Sequence, residues 1–224
     1  MAQEAAPEGR RGARRGDILK AARARFVQAG GYAKATMADI ARDVGVAEGT
    51  VYLYFASKRD LVLAVTVDWF GEITERTARE LVAIRNPLDR LRFLVLRHFD
   101  VILDNPELYL MFLREVRATS AYRRSPGRAL NRRYTDLLKD TLAGAEAAGL
   151  SPAAMRDLVY GGVEHVCLSA IHRGEAATLD RPGLAAPIAE AYARAFGLSG
   201  TQPIDDRLRR IEEHLGLDEP GQAE

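Results

Sequence analysis

The stretch "GVAEGTVYLYFASKRDLV", Gly45 to Val62, decides how the rest of the chain is read. Tyr52, Leu53, Tyr54 and Phe55 stand in a row, after the flexible Gly49 and before the basic Lys58 and Arg59. A core strand has no use for the Gly-Thr before these rings or the charges behind them. A surface that grips something can use all of it. Working outward, Thr36 with Asp39 three residues later predicts the start of a short helix, Met37 to Val44, which Gly45 breaks. A second short helix runs from Ala47 to Phe55, and Ser57 with Asp60 caps a longer one starting near Lys58. Two short helices joined by a tight Gly-containing turn form a helix-turn-helix. Val51 and Phe55, four apart, turn inward with Ile40, Val44 and Phe26.

Upstream, Ile18, Leu19, Ala22, Phe26 and Val27 share one helical face, and Gly30-Gly31 ends that helix. Residues 1–15, with Arg10, Arg11, Arg14 and Arg15 among Gly and Ala, read as a disordered basic arm. Downstream the pattern stays helical: to about Ala83, Leu88–Leu103, Asn105–Arg117, Arg128–Ala148, Ala153–His172, Leu184–Phe196 and Ile204–Leu215. No strand pattern intervenes. The chain reads as all-α, with an arm (1–15), a helix-turn-helix domain (16–60), a second helical domain (61–200) and a C-terminal helix and tail (201–224).

Composition narrows the function classes. In 224 residues, 47% are hydrophobic and 28% charged, ordinary for a soluble globular chain. Apolar runs are too short for a bilayer, and the N-terminus lacks a signal-peptide core, so no membrane partner is expected. A single cysteine, Cys167, fits a reducing cytoplasm. The net charge of +1 hides an asymmetry: residues 1–60 hold 11 Lys/Arg against 7 Asp/Glu. A basic first quarter on a mildly acidic remainder points to a polyanion at that end alone.

Duplex DNA fits the opening stretch. A short helix in the major groove presents its first residues to base edges while its flanks meet phosphates. Gly49 permits close approach of the backbone. Thr50 suits a thymine methyl or a phosphate, and the Tyr52 and Tyr54 hydroxyls suit phosphate oxygens. Lys58 sits at a helix start, where exposed N–H groups already favour an anion.

"TMADIARDVGVAEGTVYLYFASKRDLVLAV" (Thr36–Val65) closely resembles the DNA-binding segment of the TetR family of bacterial transcriptional regulators, and the resemblance covers residues 16–65. It implies a homodimer reading a palindromic operator, with a C-terminal domain that binds an effector. It makes Thr36, Ala47, Glu48, Gly49, Thr50, Tyr52, Tyr54 and Lys58 the DNA contacts. Glu48 departs from the Lys or Arg frequent at its place. It either accepts from a cytosine amino group or favours the helix N-terminus.

In the second domain, "LREVRATSAYRRSPGRALNRRY" gathers Arg114, Arg117, Arg123, Arg124, Arg128, Arg132 and Arg133 against one acid, Glu115. Guanidiniums fork onto phosphate oxygens. "LREVRATSAYR" and the later "VYGGVEHV" resemble the FadR-like branch, which responds to fatty acyl-CoA. That resemblance implies an apolar tail among Phe93, Phe99, Leu108, Tyr109, Met111, Phe112 and Tyr160. The phosphorylated head would meet Arg114, Arg117, Arg123 and Arg124. Another apolar or aromatic ligand, or no effector at all, stays open. The family's dimer interface would take in Gly161, Gly162, Val166, Ala170, Ile188, Tyr192 and Phe196.

His165 and His172, with Glu164, are too few for a metal site. No cofactor is expected. Neither a nucleophile–base pair nor a glycine-rich phosphate loop is present at meaningful spacing, so an enzyme is not expected.

Overall fold

A computed structural model describes residues 8–28, 32–145 and 149–198. Among them are nine α-helices and no strand: α1 (Glu8–Gln28), α2 (Met37–Val44), α3 (Glu48–Tyr52), α4 (Lys58–Leu81), α5 (Pro87–Leu103), α6 (Pro106–Met111), α7 (Pro126–Thr141), α8 (Pro152–Arg173) and α9 (Arg181–Ala195). Most starts follow from one local device. Thr36, Ser57, Asn86, Ser125, Ser151 and Asp180 each accept from a backbone N–H two or three residues on. Pro87, Pro106, Pro126 and Pro152 then occupy first-turn positions where the missing N–H costs nothing.

Two expected boundaries move. α1 begins at Glu8, so residues 8–15 are helical rather than a disordered arm; residues 1–7 lie outside the described part. The arginines tolerate a helix well, and the Ile18–Phe26 stripe holds the rest of it in place. α3 ends at Tyr52, and Leu53 to Phe55 form a tight turn closed by Tyr54 and Phe55 N–H groups on the Val51 carbonyl, at 3.0 Å each. Gly30, Gly31, the end of the 128–148 segment and the 204–215 helix lie outside the described residues.

One expected helix changes type. α6 stops at Met111 and widens into a π-helical segment, Phe112–Arg117, where Ala118 N–H reaches back five residues to Leu113 at 3.0 Å. A 3-10 turn, Ser120–Arg124, follows. Such widened turns cluster at functional sites, because they re-aim side chains that regular helix spacing would send elsewhere.

α1, α2 and α3 enclose Ile18, Ala22, Phe26, Ile40, Val51 and Phe55, all buried, with Val44 half-buried at the edge. α4 joins this head to the body. Its start buries Leu61 and Val65 near α1, and its later turns bury Trp69, Phe70 and Ile73 against α7 and the π segment. Thr66, Thr74 and Thr77 are buried within it, and each hydroxyl donates to the carbonyl four residues earlier at 2.7–3.0 Å. α5 is the centre of the body, with α7, α8 and α9 packed around it.

Candidate functional sites

The head presents a helix-turn-helix. Gly45 closes α2 in the left-handed region, φ 70°, which a β-carbon resists. Three residues, Gly45 to Ala47, then turn the chain into α3. Thr36 is exposed and committed locally: it accepts from Asp39 N–H, and its hydroxyl donates to the Asp39 carboxylate at 2.6 Å. That hydroxyl, more than the neighbouring Arg42, holds the Asp39 carboxyl below the usual range.

Ala47, Glu48 and Gly49 are exposed at the start of α3, where no side chain caps the helix. Nothing stands within 4 Å of a β-carbon built on Gly49. Tyr52 is exposed, while Thr50 and Tyr54 are half-buried. The Lys58 ammonium rests 4.2 Å from the centre of the Tyr32 ring. Leu53, 68% exposed, stands beside Tyr52, although the DNA contacts implied by the resemblance leave it out. Two ion pairs brace the head: Arg25 grips Asp43 with two hydrogen bonds, and Arg23 reaches Glu72 of α4 at 3.0 Å.

The body holds a cavity of about 710 Å³. Its walls come from α4, α5, α6, the π segment, the 3-10 turn, α7 and α8. Its lining includes the rings of Phe70, His98, Tyr109, Tyr122 and Tyr160. It also includes the charged Arg117, Arg128, Arg132, Lys139 and Arg156 beside Asp136, Asp157 and Glu164. Several charges satisfy one another. Arg117 pairs with Glu164 at 2.8 Å, and Arg156 with Asp157 at 2.8 Å and Asp136 at 3.2 Å. Arg128 and Lys139 make no ion pair among the described residues.

Buried polarity marks the aromatic lining. His98 Nδ1 lies 3.4 Å from the Tyr134 hydroxyl, and its ring stands 4.4 Å from that of Tyr160. His98 Nε2 and the Tyr160 and Tyr122 hydroxyls have no hydrogen-bond partner of good geometry, although Tyr160 lies against Tyr134 and Tyr122 against Asn131. Burial, helped by the Arg117 charge, pushes the His98 imidazolium down to about 3. Burial likewise pushes the Tyr109 and Tyr160 hydroxyls up.

Of the effector residues expected from sequence, Tyr109, Arg117 and Tyr160 line this cavity. The others do not. Phe99, Leu108, Met111 and Phe112 are core side chains, at most 3% exposed, and Phe93 is half-buried under the Arg97 guanidinium. Arg114, Arg123 and Arg124 point to solvent outside it. The widened turn selects Arg117 rather than Arg114, and the 3-10 turn sends Arg123 and Arg124 outward. The cavity instead recruits Arg128 and Arg132 from α7, which belong to the same arginine run. It also recruits Lys139, Arg156 and Glu164, which no local pattern marks.

The residues expected at a dimer interface divide. Gly161 is exposed, and Gly162, Val166, Ile188 and Tyr192 are half-buried. Ala170 and Phe196 are buried within the chain itself, where Phe196 packs against Tyr192. Leu158, 48% exposed, adds an apolar group to this face, and its carbonyl accepts from the Tyr192 hydroxyl at 3.0 Å. Cys167 is buried, and burial pushes its thiol up to about 12, an inert position rather than a redox-sensing one. His165 and His172 are exposed. No helix among the described residues is long and apolar enough to cross a membrane.

A helix-turn-helix head on an all-helical body is the architecture of DNA-binding transcriptional regulators. Known proteins agree. The family described as "Bacterial regulatory proteins, tetR family" matches residues 18–65, and "Tetracyclin repressor-like, C-terminal domain" matches residues 85–168. The HTH-type transcriptional repressor KstR2 of Mycobacterium tuberculosis is 32% identical over 161 residues, 68% of this chain and 76% of that one. The fatty acid metabolism regulator protein of Bacillus subtilis is 24% identical over 139 residues, 60% of this chain and 72% of that one. The crystal structure of FadR from Bacillus subtilis in complex with stearoyl-CoA shares the fold, with a TM-score of 0.67 at 21% identity, over 80% of this chain and 97% of that one. The chain belongs to the TetR family of transcriptional regulators.

Proposed function

We propose that the chain acts as a homodimeric repressor that binds a palindromic operator through α3 and its flanks, and is released by a fatty acyl-CoA. The observation that carries the effector is a cavity lined both by aromatic rings and by five cations against three acids, with Arg128 and Lys139 making no ion pair among the described residues. A CoA thioester offers groups for both kinds of lining, a largely apolar acyl group and a phosphorylated head. The stearoyl-CoA complex of the Bacillus subtilis FadR supports the same ligand class.

Ala47, Glu48, Gly49, Thr50 and Tyr52 would face the major groove, with Thr36, Tyr54 and Lys58 on the flanking backbone. In the dimer, Gly161, Val166, Ile188 and Tyr192, with Leu158, would pack against their symmetry mates. α4 is one unbroken helix with Lys58 at the head and Phe70 at the cavity, about 18 Å apart. A ligand that binds better when α4 is displaced moves both recognition helices off their spacing of roughly 34–36 Å. Only that difference in affinity between two states drives release.

A second reading has its own support. Buried groups without partners of good geometry, His98 Nε2 and the Tyr160 hydroxyl, favour a ring-bearing ligand with an oxygen function over a plain alkyl chain. Thermal-shift titration separates the two, because a ligand bound only by the folded state raises the melting temperature. Saturating stearoyl-CoA should raise it while free CoA and stearate leave it unchanged. No shift from any acyl-CoA, with a shift from an aromatic or cyclic compound, overturns the acyl-CoA assignment.

A further inference from the structure

The TetR-family match starts at residue 18, yet α1 starts at Glu8. The helical turns ahead of the match carry Arg10, Arg11, Arg14 and Arg15, all exposed. Their placement is not that of a uniformly solvated run. Ile18, Ala22 and Phe26 are buried at intervals of four, and the same steps backward from Ile18 reach Arg14 and Arg10. Steps of four back from buried Leu19 reach Arg15 and Arg11. The side of α1 that packs on the head therefore turns from apolar to arginine as the helix runs past the head.

A second contact fixes where this stripe lies. The Arg15 guanidinium sits 5.5 Å over the ring of Phe55, in the turn between α3 and Lys58. The arginines thus emerge beside the segment that carries Tyr52, Tyr54 and Lys58. Arg14 is 4.0 Å from Asp17, and Arg10, Arg11 and Arg15 make no ion pair among the described residues. From Arg10 to Arg15 the helix advances about 7.5 Å, so the four guanidiniums span more than one turn of α1.

We infer that the first turns of α1 form a second DNA-contact element, in which Arg10, Arg11, Arg14 and Arg15 hold backbone phosphates flanking the bases under α3. The inference rests on the operator-binding reading above and adds an element that the family segment does not contain. The contact is to phosphate, so it strengthens binding to every sequence alike and leaves base preference unchanged. Gly9, Gly12 and Gly16 have nothing within 4 Å of a built β-carbon, so alanine fits at each without a clash. Three glycines also loosen the free helix, and contact with DNA firms it.

The test uses the full chain and a duplex selected by it from a random pool, long enough to reach past both half-sites. Anisotropy titrations between about 50 and 200 mM salt give the slope of log K against log salt. The variant R10A/R11A/R14A/R15A should flatten that slope by about 0.9 for each phosphate no longer neutralised, roughly three to four units per protomer, with the selected sequence unchanged. R10A/R11A/R14A, which leaves the Arg15–Phe55 pair in place, should flatten it by roughly two to three units, so a loosened head is not mistaken for missing charge. G9A/G12A/G16A, which keeps every charge, should bind severalfold tighter. Unchanged slopes in both arginine variants, or weaker binding by the alanine variant, overturn the inference while the operator reading stands. A full chain that selects no duplex overturns the operator reading and this inference with it.

Discussion

Arg117 Nη1 donates to both carboxylate oxygens of Glu164, at 2.8 and 3.0 Å, and so ties the π segment to α8 across the cavity wall. Burial disfavours the Arg117 charge, and Glu164 more than restores it, leaving the guanidinium pKa raised. The pair occupies the cation that an anionic ligand would use.

Glu164→Gln therefore releases Arg117 for a ligand. The pair is partly exposed, so its loss costs about 1 kcal/mol or less in stability. Affinity for an acyl-CoA should rise by up to about fivefold, the equivalent of about 1 kcal/mol. Arg117→Ala should lower it instead. Isothermal titration of the two variants side by side checks the opposite signs.

His98 sets an acid limit. Its folded value, about 3, lies below the ordinary 6.5, so the unfolded chain binds the proton first. The stability this neutral imidazole contributes is complete above pH 6.5 and is lost as pH falls from there toward 3. Between pH 6.5 and about 5 the loss should be about 1.5–2 kcal/mol. Denaturant titrations at the two pH values should show that difference in the parent and a much smaller one in His98→Phe.

A β-carbon on Gly162 would stand 2.8 Å from the Tyr192 hydroxyl oxygen, a distance that forces the ring to move. Gly162→Ala then breaks the Tyr192–Leu158 bond and disturbs the face assigned to the dimer. The overpacking cost of about 1–3 kcal/mol is offset by about 0.5–1 kcal/mol from replacing a mid-helix glycine, so stability should fall by about 2 kcal/mol or less, and sedimentation equilibrium should show weaker self-association. Gly161→Ala, which meets nothing within 4 Å inside the chain, separates the effects: folding stays intact, and self-association falls only if that face is covered by a partner.

Lys58→Ala should weaken binding to all duplexes alike and lower the salt slope by about 0.9 per protomer. Its ammonium already rests on the Tyr32 ring, which holds it in place. Tyr32→Ala should therefore weaken binding too, by a smaller factor and with the slope unchanged. Anisotropy titrations on one duplex distinguish the two behaviours.

Local chemistry makes much of the fold legible. Thr36, Gly45, Ser57 and the Asn-Pro and Ser-Pro pairs each act on the next few residues alone, and the structure puts a helix boundary at every one. The cavity is far less legible, because spacing shows that a face is apolar without showing whether it lines space or fills it. Phe99, Leu108 and Phe112 fill it. Arginine direction is hidden for a related reason: Arg114 and Arg117 look alike in sequence, and a widened turn chooses between them. Glu164 and Arg156 come from α8, far along the chain, and only packing brings them to Arg117 and Asp136. The α1 extension is hidden because glycine and arginine suggest disorder when read without the stripe that anchors them.

The most direct test of the central claim is fluorescence anisotropy of the full chain on a duplex it has selected, with stearoyl-CoA, free CoA and stearate titrated in turn. Release by stearoyl-CoA, with neither free CoA nor stearate effective at the same concentration, is the predicted result. Binding that persists through saturating acyl-CoAs of every chain length would contradict it, leaving a DNA-binding regulator whose cavity serves another ligand.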